Sequence, residues 1–326
     1  MADKNEFRKF SEVEIGETFS RPVLITSISE SVSKNGNEFV IVGMKDGSSE
    51  QTARMFGKTI AEIKKMGIHT EMIADVTIRV DDFRSGKSFN LLSAKPTESG
   101  LTIADFTKVP PFDREKMFDE IIEMLNEVAD TGNGKYTPLS DLAINILNDR
   151  KDDFMKSSAA ELMHHNMLGG LIYHTYRMMK SSYAISSVYT NLDRELLLCG
   201  TALHDIGKIW EYKTTDTGEA QRTSSGILFG HLYMGAIRIN QVASDINYNK
   251  EKLKLLVHMI LSHHGKQEYG AVTLPAIPEA LVLSHVDDLD AKMYVFDEAY
   301  KEQKPGTLSE KKSYMLETKI YKPKTE

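Results

Sequence analysis

Residues 194–212 read RELLLCGTALHDIGKIWEY, an apolar helical run that ends in a histidine followed by an aspartate. Leu196, Leu197, Leu198, Ala202 and Leu203 leave little polar surface on this segment, so the helix should be buried. A charged carboxylate beside an imidazole is costly in such surroundings unless it is paired or bound to a metal. His204 and Asp205, adjacent at a helix end, could ligate one ion, or two if the carboxylate bridges. Gly207 is expected to end the helix, and Lys208, one turn after His204, can point at whatever a metal holds.

The neighbouring segments repeat the theme. His174 in LIYHTYRM, His231 in FGHLYMGA, His263 and His264 in ILSHHG and Asp287 in SHVDDLDA each lie on or beside an apolar helical face. Nine of the ten histidines fall between His164 and His285, and the only thiol is Cys199, so a metal here would need imidazole and carboxylate ligands. Any one of these histidines is explained by a hydrogen-bonded core position. Together, five segments placing His, or His with Asp, at the inner edge of a helix point to a metal centre between facing helices. His165, His258 and His285 read as structural or surface residues, and His69 stands apart near the N-terminus.

The flanking sequence is helical as well. In DREKMFDEIIEMLNEVAD (113–130), Met117, Ile121, Met124, Leu125 and Val128 form one stripe, with Asp113 as N-cap after Pro110-Pro111. The same period runs through PLSDLAINIL, HLYMGAIRINQVASDI, KEKLKLLVHMILSHH and IPEALVLSHVDDLDAKMYVF, so this part is expected to be all-α.

Upstream the period changes to two. PVLITSIS, FVIVGM, TARMF, IADVTIRV and FNLLSA read as five strands, with Asp46-Gly47 and Ser85-Gly86 at tight connections. Between the third and fourth, KTIAEIKKMG reads as a short helix carrying Ile60, Ile63 and Met66 and stopped by Gly67. Three strands, a helix and two strands is the element order of an OB-like barrel, a fold that binds oligonucleotides on one face. The expected fold is therefore α+β and multidomain: an OB-like barrel at 1–98, a linker at 99–114, a helical bundle at 115–303 and a tail at 304–326. The tail carries six lysines and three glutamates and reads as a solvated, partly disordered end, with a phosphate-contacting arm as the alternative.

At 41% hydrophobic, 27% charged and net charge −7, the chain excludes fibrous and disordered classes and argues against a general nucleic-acid coat. No run approaches the ~18 apolar residues of a bilayer helix, and the charged N-terminus suggests a cytoplasmic protein.

The ordered set of His174, His204-Asp205 followed by Ile206-Gly207-Lys208, His231, His263-His264 and Asp287 resembles the HD superfamily of metal-dependent phosphohydrolases. The stretch SHHGKQEYGAVTLPAIPEALVLSHVDDLDAKM is further similar to that of the YhaM-type 3′→5′ exoribonucleases, which carry an N-terminal OB-fold before the HD domain. The resemblance implies His174, His204, Asp205 and Asp287 as core ligands, with Asp205 bridging two ions. It implies His231, His263 and His264 as the extra ligands of dinuclear members, and Lys208 as a contact to substrate phosphate. Asp287 is preferred to Asp288 because the register to Asp290 fits the family's terminal aspartate.

The implied activity is a cytoplasmic exoribonuclease releasing nucleoside monophosphates from single-stranded RNA, with single-stranded DNA as a second candidate. Its cofactors would be two divalent ions, Mn²⁺ ahead of Fe²⁺ or Co²⁺. In the barrel, Arg54, Phe83, Arg84 and Lys87 are the nucleic-acid-binding candidates, whereas Phe56 and Phe89 are expected to fill the core. One competing reading is a phosphohydrolase for small nucleotides or cyclic dinucleotides, although Glu268-Tyr269-Gly270 departs from the G-Y-P of the latter branch. The other is an inactive nucleic-acid-binding regulator.

Overall fold

The computed structural model describes residues 7–33, 36–83, 86–107, 109–159, 167–215, 218, 220–244 and 246–324. By internal contacts the chain divides into two compact units, Met1–Val109 with Thr215–Gly218, and Pro110–Thr214 with Glu219–Glu326.

In the first unit, strands β1 (Thr18–Val32), β2 (Glu38–Lys45), β3 (Glu50–Phe56), β4 (Met72–Phe83) and β5 (Gly86–Pro96) close into a barrel in the order β1-β2-β3-β5-β4. β1 serves two neighbours, pairing with β2 through Leu24–Val32 and with β4 through Thr18–Ile25. A bulge between Ile25 and Ser27 bends it from one to the other. Closure is made by a parallel pairing of β3 with β5 at Ala53 with Phe89 and Arg54 with Asn90. Helix α1 (Ile60–Lys65) is capped by Thr59, whose side chain accepts from Glu62 N, and is stopped by Gly67 at φ +80°. This is the OB-like arrangement that the element order predicts.

Alternation along the strands sends Val40, Val42, Ala53, Met55, Ile78 and Phe89 inward. Burying each of the larger side chains among these, Val, Ile, Met or Phe, stabilises the fold by about 1.5–3 kcal/mol relative to exposure. Phe56 does not join them. It follows inward-facing Met55 and so faces out, 56% exposed, with its ring 5.3 Å from that of Phe39. The core expectation holds for Phe89 and fails for Phe56 because the period of two gives a strand's neighbouring residues opposite faces.

The Asp46-Gly47 turn does more than reverse the chain. Asp46 accepts hydrogen bonds from the backbone N–H of Phe10 (2.7 Å), Ser48 (2.8 Å) and Ser49 (2.7 Å). It also faces buried Arg21, whose Nη1 lies 3.4 Å from Asp46 Oδ2 and whose Nη2 donates to the Asp46 carbonyl. Arg84 and Ser85 lie outside the described residues.

The second unit contains α2 (Arg114–Glu127), α3 (Leu139–Asp149), α4 (Lys151–Lys156), α5 (Gly170–Val188), α6 (Arg194–Leu203), α7 (Lys208–Glu211), α8 (Ser224–Ala243), α9 (Lys250–Ser262) and α10 (Pro278–Glu302). Asp113 caps α2 by accepting from Lys116 N. From Glu195 to Leu203 every residue of α6 is buried, so this short helix forms the axis on which its neighbours pack. Gly200 leaves room for the end of the Met259 side chain on α9, since a Cβ there would sit 2.3 Å from Met259 Cε. Among the described residues no helix is long and apolar enough to cross a membrane.

The unit is not purely α-helical as expected. Strands β6 (Tyr212–Thr214) and β7 (Ala220–Arg222) form a hairpin between α7 and α8. The C-terminal segment, expected as a solvated end, folds instead as a second hairpin, β8 (Thr307–Leu308) with β9 (Tyr321–Lys322), held by buried Ile320. Strands of two or three residues are too short to establish a detectable alternation in sequence.

Candidate metal centre

Two helices end at the centre in the same way. α6 stops at Leu203 rather than at Gly207, with His204 as its C-cap, and α9 stops at Ser262 with His263 as its C-cap. In each, the histidine folds Nδ1 back onto a carbonyl of its own last turn, His204 to Thr201 O and His263 to Ile260 O, both at 2.8 Å. A carbonyl only accepts, so Nδ1 carries the proton and Nε2 presents a lone pair. Both helix C-termini bring partial negative charge, which favours a cation beyond them.

The other histidines are oriented by carboxylates. His174 on α5 donates Nδ1–H to Asp290 Oδ2 at 2.8 Å, and His231 on α8 donates Nδ1–H to Glu211 Oε2 at 2.6 Å. α8 leaves helical geometry at Gly230 (φ 69°, ψ 161°), directly before His231. Such backbone is open to glycine and almost nothing else.

The resulting donors fall into two groups, His174 with His204 and Asp287, and His231 with His263 and His264. Asp205 stands between them. Its Oδ2 lies 3.2 Å from His204 Nε2, while Oδ1 lies 3.4 Å from His231 Nε2 and 3.6 Å from His263 Nε2. Asp287 Oδ1 approaches His174 Nε2 at 3.2 Å, whereas Asp288 is exposed and pairs with Lys292. All seven residues expected as ligands are thus brought together, with both His263 and His264 in the second group.

Metal ions suit this donor set. His174 Nε2 lies 3.3 Å from His204 Nε2, and His231 Nε2 lies 3.3 Å from His264 Nε2. In the neutral rings, with Nδ1 protonated on His174, His204 and His231, the Nε2 lone pairs would face one another and a cation between them would satisfy both. The spacing is that of two nitrogens on one ion at about 2.0–2.2 Å. Asp205 Oδ1 and His263 Nε2 are buried and accept or donate no hydrogen bond.

Electrostatics point the same way. Burial pushes the His263 and His264 imidazolium pKa values down, His264 to about 3, so both are neutral donors at physiological pH. Burial opposes ionisation of Asp205 and Asp287 too, but Lys208 and His204 around the first, and His174 around the second, outweigh it and keep both carboxylates ionised. Burial likewise opposes charge on His174, but Asp287 and Asp290 raise its pKa to about 9.

Lys208 sits where expected, with Nζ 2.6 Å from Asp205 Oδ2. Gly207 does not close α6 but is demanded by packing, since a Cβ there would lie 2.0 Å from the His231 carbonyl oxygen. The orienting contacts of Glu211 and Asp290 with two of these histidines are not expected from the sequence. Glu211 is buried and also faces Arg222 at 3.4 Å through the β6–β7 hairpin, and Asp290 pairs with Arg177 at 2.7 Å. The signal for Asp290 is its place three residues after Asp287 on the same helical face, and for Glu211 an acidic residue directly after the apolar Ile209-Trp210.

Of the barrel candidates, Arg54 lies over the Phe83 ring at 4.9 Å and donates to Ser88 Oγ, and Phe83 is half exposed. Lys87 is exposed and donates to Ser11 O at 3.3 Å. His258 accepts from Ala276 N and stays outside the centre, as do His69 and His285; His165 lies outside the described residues.

Residues 171–292 match the family model described as the HD domain, a span that takes in every ligand candidate from His174 to Asp287. The helical unit is thus similar to the HD domain over 171–292, and an OB-like barrel precedes it. Over 312 residues it is 29% identical to the 3′-5′ exoribonuclease YhaM of Bacillus subtilis strain 168, covering 95% of this chain and 96% of that protein. Among solved structures it is similar to the second OB-fold domain of replication protein A from Methanococcus maripaludis, at 17% identity over 29% of this chain and 97% of that one, TM-score 0.23. A replication protein A heterotrimer bound to single-stranded DNA matches 27% of this chain and 63% of its own at 16% identity, TM-score 0.21.

Proposed function

We propose that the protein is a 3′→5′ exoribonuclease that hydrolyses single-stranded RNA to nucleoside monophosphates at a dinuclear centre. The observation that carries this reading is Asp205, whose two oxygens face two separate groups of imidazole donors. His174, His204 and Asp287 would hold one divalent ion, His231, His263 and His264 the other, and Asp205 both. Bound ions would offset phosphodiester charge and acidify a water, with Mn²⁺ preferred and Fe²⁺ or Co²⁺ as alternatives for such N/O donors. Lys208 stays protonated although burial opposes it, because the Asp205 carboxylate favours its charge. It therefore keeps a fixed positive charge at the site, of the kind that stabilises phosphoryl-transfer transition states.

The full-length likeness to a 3′-5′ exoribonuclease supports the direction and the polymer substrate. The barrel supports single strands through Arg54 stacked on half-exposed Phe83 and through exposed Phe56, an arrangement on which bases can stack. The reading places the enzyme in the cytoplasm, where a buried thiol such as Cys199 is kept reduced. The test is digestion of 5′-labelled single-stranded RNA with Mn²⁺ beside a His204→Ala, Asp205→Ala variant. A ladder shortening from the 3′ end with the unaltered protein alone is expected; equal loss with both would sink the reading.

A further inference from the structure

The C-terminal hairpin is the most strongly cationic segment of an acidic chain. Residues 304–326 hold six lysines and three glutamates, a net +3, which leaves −10 for residues 1–303 of a chain whose total is −7. The hairpin is built, not trailing. Gly306 N donates to Lys322 O and Ser309 N to Ile320 O, both at 2.7 Å, and Ser313 N to Thr318 O at 2.8 Å. Buried Ile320, the Gln303 amide on Ile320 O (2.9 Å) and the Tyr300 hydroxyl on Tyr321 O (3.2 Å) anchor it to the end of α10.

What it presents outward is lysine and tyrosine. Lys252, Lys292 and Lys301 elsewhere in this unit each hold a carboxylate. Among the described residues none of Lys304, Lys311, Lys312, Lys319 and Lys324 does. Tyr314, in the turn between the two arms, is 94% exposed, and Tyr321 is half exposed. Unpaired lysines flanking an outward aromatic ring suit a single-stranded polyanion with stackable bases better than an acidic protein surface, which has no use for the ring.

We propose that this hairpin is a second contact site for single-stranded nucleic acid, with Lys311, Lys312 and Lys319 on phosphates and Tyr314 stacked on a base. It rests on the nuclease reading for its ligand and adds the path by which a strand is held. α10 carries both Asp287 and, at its far end, Tyr300. At roughly 1.5 Å of rise per residue these lie about 20 Å apart along the helix axis, so only a strand several nucleotides long could engage both sites. Such bivalency raises the local concentration of strand at the centre.

The test compares the full chain with Lys311→Ala, Lys312→Ala, Lys319→Ala in one variant and Tyr314→Ala in another, each measured for Kd on a labelled 20-nucleotide RNA in EDTA. The triple variant should weaken binding about tenfold and reduce the salt slope by roughly 2, since each phosphate contact on a single strand contributes about 0.7. Tyr314→Ala should weaken binding with the salt slope unchanged, and Tyr314→Phe should restore it. With Mn²⁺, hydrolysis of a dinucleotide should be the same for all variants. Unaltered Kd values overturn the proposal, and so does a change in oligomeric mass with RNA affinity intact, which would assign the hairpin to a protein contact. Failure of the unaltered protein to cleave any RNA would sink the nuclease reading and leave the binding measurement standing by itself.

Discussion

The carboxylate of Asp290 lies 2.8 Å from Nδ1 of His174 and so decides which nitrogen of that imidazole faces the centre. Arg177 Nε holds the other oxygen of Asp290 at 2.7 Å, which fixes the carboxylate in turn. Glu211 does the same for His231 in the second donor group. Each group thus has one histidine oriented by a buried acid from elsewhere in the fold.

Asp290→Asn and Glu211→Gln should each retain the fold and lower metal affinity by about 10–100-fold, the usual cost of losing an outer partner of a ligand histidine. Metal content after gel filtration, read by elemental analysis, checks this apart from activity. Full retention of two ions by both variants would remove the orienting role.

Replacing Asp205 should affect both groups at once, whereas His264→Ala should affect one. Asp205→Asn is expected to bind less than one ion per chain, and His264→Ala about one. Lys208→Ala should keep its metal and lose about 10²–10³-fold in kcat, the range for removing one preorganised charge-stabilising group. Titration with Mn²⁺ beside single-turnover RNA cleavage separates the three.

Metal affinity should depend on pH through His174, whose pKa in the metal-free protein is raised to about 9. Because the folded value lies above the ordinary 6.5, the charged His174 stabilises the metal-free fold fully below pH 6.5, and that contribution is lost as pH rises toward 9. Metal binding needs the neutral ring, so affinity should climb up to tenfold per pH unit between about 7 and 9 and then level off, with release of a proton. Calorimetry in buffers of different ionisation enthalpy reads that proton; none released at pH 7.5 would contradict the assignment.

The barrel should depend on Asp46. Asp46→Ala leaves Arg21 buried without its partner and frees three backbone donors, a loss of about 3–5 kcal/mol. Burial works against the Asp46 carboxylate, but its hydrogen bonds from Phe10, Ser49 and Ser48 lower its pKa below the ordinary range. Its contribution is therefore present above about pH 4 and lost as pH falls through the lowered value. Thermal unfolding at pH 7 and pH 3 checks both; an equal drop in Tm for Asp46→Ala and the unaltered chain between those pH values would refute it.

Much of this protein is determined locally and is legible in its residues. Strand alternation, the Thr59 and Asp113 caps and the stop at Gly67 depend on neighbours within a few positions, and so does the placing of His174, His204, His231 and His263 on inner faces or at helix ends. Tertiary structure alone decided what those side chains meet. It set Asp205 between two donor groups, brought Asp287 against His174 and made Gly207 a packing requirement. It also drew Asp290 to His174 across 116 residues of chain. Local periodicity specifies which face of an element is buried, but the partner across the core is chosen only when the helices pack, and the protonated nitrogen of each histidine is settled there too.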